Sequence, residues 1–117
     1  MKDDGLYLQH MRERCGRIAR FIAPGKAAFL ESEEIQDAVI GNIEVIGEAA
    51  KRVSSETRSQ LSQLDWKRIC GMRDVLIHDY IGVDLEEVWN VAVSRIPELQ
   101  DALEEFLSRG DPRGPIP

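Results

Sequence analysis

Apolar residues recur along most of this chain at helical steps. Tyr7, Met11, Cys15, Ile18 and Ile22 follow one another at intervals of four and three, which lays a single apolar stripe along an amphipathic helix. "APGK" then supplies Pro24 and Gly25 as a stop. Ser32 is placed to cap a second long helix, with Glu33 and Glu34 favouring its positive N-terminal end. Ile35, Val39, Ile43, Ile46, Ala50 and Val53 mark that helix's inner face, and the polar "SSETRSQLSQ" reads as a turn or short helix. Asp65 is the expected cap of a third helix running from Trp66 to residue 81, terminated by Gly82. Asp84 with Glu87 opens the last helix, whose stripe is Leu85, Val88, Trp89, Ala92, Val93 and Ile96. Pro97 is expected to kink or break it before Leu99, Leu103, Phe106 and Leu107 resume the pattern. No sustained alternation bounded by hairpin turns competes, so no strand is expected. The pattern predicts an all-α protein, an antiparallel four-to-five-helix bundle over residues 1–109, with "GDPRGPIP" ending in a flexible C-terminal tail at 110–117.

Composition narrows the class. A chain of 117 residues with 43% hydrophobic and 31% charged residues suits one soluble, ordered domain with a modest core. No apolar run approaches the roughly 20 residues of a membrane span, and "MKDDGLYLQH" lacks the layout of a signal peptide. The expectation is a cytoplasmic protein without a membrane partner. Cys15 and Cys70 have no metal-like spacing and read as reduced, buried thiols. The formal net charge of −6 argues against an extended nucleic-acid surface. It leaves room for a local one, since Trp66 to Arg73 carries Lys67, Arg68 and Arg73 with no acid between.

Several chemistries are missing. No stretch matches a phosphate-binding loop or a dinucleotide fingerprint. A di-iron bundle needs two Glu-x-x-His motifs, but Tyr7 and Val75 stand three residues before His10 and His78. No metal site and no cofactor are expected. Glu44 and Glu48, one turn apart, read as a solvated or arginine-paired face rather than an acid–base pair. His10 reads as a surface or partly buried structural histidine.

"RDVLIHDY" places Arg73, Asp74, His78 and Tyr80 within eight residues. At about 100° per residue, Arg73 and Tyr80 share a direction on a helix while Arg73 and His78 diverge by roughly 140°. They converge if the helix ends or distorts near His78, or if two copies meet at a two-fold axis. Such residues have complementary uses on RNA. A neutral imidazole takes the proton of a ribose 2′-OH, and a guanidinium stabilises charge building on the phosphate. Asp74, four residues before His78, is placed on a helix to orient the imidazole. The bland alternative is a snorkelling arginine, a helix-end histidine and a half-buried tyrosine.

Arg73-x4-His78-x-Tyr80 resembles the R-x4-H-x-Y signature of the HepT family, within the HEPN superfamily. Its surroundings, "LDWKRICGMRDVLIHDYIGVDLEEVW" and upstream "IGNIEVIGEAAKRV", are similar to that family's pattern as well. The resemblance implies a dimerising HEPN-like bundle with arginine and histidine of both subunits lining a cleft. It implies a metal-independent ribonuclease, the toxin of a type VII toxin–antitoxin pair. It also implies a minimal nucleotidyltransferase antitoxin that adds AMP to the motif tyrosine. Carried onto this chain, Arg73 and His78 are the catalytic candidates, Asp74 is supporting, and Tyr80 both supports the site and is the modification site. An alternative of a different class is a non-catalytic helical adaptor that docks such a nucleotidyltransferase. The diverging directions of Arg73 and His78 point to a homodimer whose interface includes the 66–81 helix.

Overall fold

The computed structural model describes residues 3–78 and 82–109, with His78 described by its backbone alone. The chain runs through α1 (Asp4–Ile22), α2 (Lys26–Glu31), α3 (Glu33–Lys51), α4 (Ser55–Gln60), α5 (Trp66–Cys70) and α6 (Met72–Leu76). A two-residue ladder follows, β1 (Ile77–His78) against β2 (Gly82–Val83), and then α7 (Leu85–Asn90), a π-helical turn (Val91–Arg95) and α8 (Ile96–Ser108). The all-α expectation holds, with this short ladder as the one extended pairing among the described residues. The proposed tail at 110–117 lies outside them.

The long helices form where the apolar stripe was read. α1 buries Leu8, Met11, Cys15 and Ile18, and α3 buries Val39, Ile43, Ile46 and Ala50 against it. α8 closes the other side of α1 with Leu99, Leu103 and Leu107. Each fully buried aliphatic side chain contributes roughly 1.5–3 kcal/mol, so this face is the main source of stability. Tyr7, Ile22 and Ile35 sit at its half-buried margin. Burial pushes the Cys15 thiol up to about 12, as expected of an inert core thiol. Cys70 is also free and only half-buried.

Local capping works as the sequence suggests. Ser32 Oγ accepts from the Ile35 N–H, an Asp65 carboxylate oxygen from the Arg68 N–H, and an Asp84 carboxylate oxygen from the Glu87 N–H. A less visible cap lies at the opposite end of the chain's order. The buried Asp4 carboxylate accepts from the Ser54 N–H, the Ser54 hydroxyl and the Thr57 hydroxyl. It thereby docks the start of α1 on the start of α4. Burial raises its pKa, but these hydrogen bonds outweigh burial and hold it down at about 2, against the usual 3.8.

Four details differ from the periodic reading. The helix expected over 66–81 is interrupted at Gly71 and ends at Leu76, where the chain turns extended. Gly82 does not end a helix; it sits in β2 at φ +95°, a region that favours glycine. Its partner across the ladder is His78, as Val83 is of Ile77. Pro97 does not break the last helix. The chain stays helical from Leu85 to Ser108, and the wider π turn directly before Pro97 absorbs the missing N–H and the ring's bulk. α2, too short to show a period, was not expected. It carries buried Phe29 against Trp89, with ring centroids 5.5 Å apart.

Candidate active site

The segment bearing the motif is held by its neighbours rather than by its own length. α5 and α6 have five residues each, too few to be stable alone. Trp66 anchors the start: it is buried, and its Nε1–H donates to the Leu61 carbonyl at 3.1 Å. Arg58 ties this anchor to the end of α3. Its guanidinium lies 5.3 Å over the Trp66 ring while its Nη2 donates to the Ala50 carbonyl at 2.8 Å and its Nε to the Val53 carbonyl at 3.1 Å. The Ala50 carbonyl also accepts from the Val53 N–H at 3.2 Å, so Arg58 adds a second donor at the C-terminal end of α3. Ile69, Met72 and Leu76 then sink into the core, so the three side chains that fasten α5 and α6 occupy one face.

The approach of α3 to this segment is unusually close at Gly47. A Cβ there would stand 3.4 Å from the carbonyl oxygens of both Ile69 and Cys70. A side chain there would be in contact with the backbone of α5. One turn before Gly47 is Glu44, and three residues after Cys70 is Arg73. The consequence is a direct bond: Arg73 Nε donates to Glu44 Oε2 at 2.9 Å. Arg73 Nη1 lies 3.6 Å from Asp74 Oδ1. The Arg73 side chain remains 50% exposed, and among the described residues its Nη2 has no hydrogen-bond partner. Glu44 is thus the arginine-paired acid that its spacing suggested, with its partner 29 residues away in sequence. Glu48 instead faces Lys51 at 3.2 Å.

The end of α6 at Leu76 changes the geometry of the other motif residues. Arg73 and His78 no longer share a straight helix, so the divergence computed for one does not apply. One of the two conditions for their convergence, a helix ending near His78, is met within a single chain. The divergence therefore ceases to be a reason for a second copy. The helical step meant to bring Asp74 beneath His78 is absent for the same reason. Asp74 is exposed and faces Arg73. The His78 side chain and Tyr80 lie outside what is described. His10, on α1, is half-buried.

Along α5 and α6 runs a groove of about 560 Å³, bounded also by residues of the π turn and the start of α8. Ile69, Met72, Val75 and Leu99 form apolar parts of its lining, with Lys67, Arg68 and Arg95 among the charged ones. Val75 is 63% exposed there, an apolar side chain facing outward next to the motif arginine. No helix among the described residues is long and apolar enough to cross a membrane.

The chain is similar over most of its length to proteins with provisional names. A provisionally named RNase of Caldanaerobacter subterraneus subsp. tengcongensis is 36% identical over 110 residues, spanning 93% of this chain and 98% of that protein. A longer Methanocaldococcus jannaschii protein, named as a gamma-glutamylcyclotransferase and provisionally as an RNase, is 37% identical over 94% of this chain, which covers 50% of it. A ribonuclease HepT of Thermococcus cleftensis, again provisionally named, is 36% identical over 67% of this chain and 71% of its own. No solved structure matches this one. The family model described as "Ribonuclease HepT-like" matches residues 11–106, a span that takes in α3, Glu44 and the whole Arg73–Tyr80 motif, and on that match the chain belongs to the HepT-like ribonuclease family of the HEPN superfamily.

Proposed function

We propose that this chain is a metal-independent endoribonuclease whose reaction is carried by Arg73 and His78. The observation that carries the proposal is the placement of Arg73. In a family of ribonucleases, a motif arginine stands half-exposed in the first turn of a short helix, bonded through Nε and with no hydrogen-bond partner on Nη2 among the described residues. A guanidinium so placed can meet a phosphodiester and stabilise charge on its non-bridging oxygens.

The chemistry follows from the groups available. A neutral His78 imidazole takes the proton of a ribose 2′-OH, and that oxygen attacks the adjacent phosphorus. The bond from phosphorus to the 5′-oxygen breaks as a protonated imidazole supplies the leaving oxygen with its proton. A 2′,3′-cyclic phosphate and a free 5′-OH result. One histidine per chain in the motif suffices for both roles when two copies face each other, so the working form is a homodimer. Exposed Val75 beside the motif supports an interface that includes residues 66–81.

The same reading makes the chain the toxin of a type VII toxin–antitoxin pair, silenced by a minimal nucleotidyltransferase that transfers AMP to Tyr80. An attached AMP brings a phosphate near Arg73 and competes with RNA for the same cation. A second reading, a non-catalytic adaptor for such a nucleotidyltransferase, draws on the net charge of −6, which opposes RNA binding.

Purified chain incubated with total RNA in EDTA tests the proposal. Cleavage that persists in EDTA and disappears in His78→Ala is the expected result; no cleavage above the His78→Ala background would leave the adaptor reading. For regulation, co-expression with a neighbouring nucleotidyltransferase is expected to add one AMP on the Tyr80 peptide. An unmodified chain, or an adduct on Tyr7, contradicts it.

A further inference from the structure

The geometry points to Glu44 as a positioning residue for the ribonuclease reaction, holding the Arg73 guanidinium by Nε so that its Nη edge is presented to the RNA phosphate. This rests on the ribonuclease reading of Arg73 given above. Glu44 belongs to α3, a 19-residue helix buried along Ile43, Ile46 and Ala50. Arg73 belongs to a five-residue helix bounded by a break at Gly71 and an extended residue at Ile77. A long side chain on so short an element has many rotamers to choose from. The bond of 2.9 Å to Glu44 removes that freedom from a fixed point on the rigid helix.

Two further features favour orientation over simple masking. The contact uses Nε only, so the end of the guanidinium that carries Nη1 and Nη2 is left for a second anion. The weaker neighbour, Asp74 at 3.6 Å from Nη1, is beyond hydrogen-bond reach and can give way to a phosphate oxygen. The close contact of Gly47 with the Ile69 and Cys70 carbonyls fixes the spacing between the two helices at this point. Backbone approach, carboxylate and guanidinium therefore form one arrangement, in which Glu44 itself does not touch the substrate.

The test measures cleavage of a fluorogenic RNA oligonucleotide by Glu44→Ala, Glu44→Gln, Arg73→Ala and the Glu44→Ala/Arg73→Ala pair, alongside the Arg73 Hε proton by NMR. Glu44→Ala is expected to lower kcat by about 10- to 100-fold, the loss typical when a reacting group drifts by about 1 Å, with KM little changed. Glu44→Gln keeps an oxygen for Nε–H without the charge and is expected to restore the rate to within about threefold of the parent. The double variant is expected to be no slower than Arg73→Ala, because Glu44 acts through Arg73. The Hε proton is expected to exchange slowly in the parent and fast in Glu44→Ala. Arg73→Ala inactive with Glu44→Ala unchanged or faster overturns the positioning role alone. So does a fast-exchanging Hε in the parent. Arg73→Ala cleaving at the parent's rate overturns the ribonuclease reading of Arg73, and this role with it.

Discussion

Val39, Ile43, Ile46 and Ala50 of α3 lie wholly inside the molecule, packed on α1 over a helix that runs unbroken for 19 residues. The 18 positions from Trp66 to Val83 use a similar apolar spacing, yet the chain there breaks at Gly71 and turns extended at Ile77. Among its described residues, the buried side chains Trp66, Ile69, Met72 and Leu76 serve as pins, while Lys67, Arg68, Arg73 and Asp74 are exposed. The first region gains its order from its own length and from burial. The second gains it from outside, through Arg58 on Trp66, the contact at Gly47 and the Glu44 carboxylate on Arg73. A half-exposed arginine needs such external support, because an exposed side chain on a short helix is otherwise unfixed. Stability and the proposed reactive geometry thus belong to different parts of one small bundle.

Substitutions in the two regions should have separable effects. The largest effect belongs to the packed region. Ile43→Ala removes a fully buried side chain between α1 and α3 and is expected to cost about 2–5 kcal/mol in chemical denaturation. A loss below about 1 kcal/mol would mean that α3 is not the scaffold. Asp4→Asn comes next, at a cost on the order of 2 kcal/mol near neutral pH. The sign follows from a depressed carboxyl: its contribution is present above the unfolded value of 3.8 and fades as pH falls through about 2. The parent and the variant should therefore converge in stability as acid unfolding approaches that range. A gap that persists at the acid end would assign the cost to something other than the Asp4 charge. The smallest effect on stability is expected outside the core. Val75→Ser should change the unfolding free energy of the chain by no more than about 0.5 kcal/mol when measured at concentrations too low for association. The same change should weaken self-association in sedimentation. A marked loss of stability would show that Val75 is an internal packing residue after all.

The two regions also differ in how far they could be read from sequence. The long stripes and the caps at Ser32, Asp65 and Asp84 were legible, because a cap or a period depends on residues a few positions apart. The break at Gly71 was not. Trp66, Ile69, Met72 and Leu76 keep a helical step across it, and burial of all four holds in either case. Gly82 was recognised as special but assigned to a helix end, since a positive φ serves a tight extended pairing equally well. The motif was visible as Arg73, His78 and Tyr80, whereas the partner of Arg73 was not. Glu44 was marked only as an acid on an arginine-paired face, and nothing local connects residues 29 apart. That link comes from the packing of α3 on the 66–76 segment near Gly47, a tertiary fact with no periodic trace.

Arg73 is proposed to serve RNA cleavage and not the fold, and pairing cleavage rate with melting temperature in Arg73→Ala separates the two. The expected result is a fall in rate of about 100-fold or more, as when a donor to a developing oxyanion is removed, with a melting temperature within about 2 °C of the parent. An unchanged rate, or a fall in rate accompanied by a melting temperature about 10 °C lower, would contradict it and make Arg73 a structural residue.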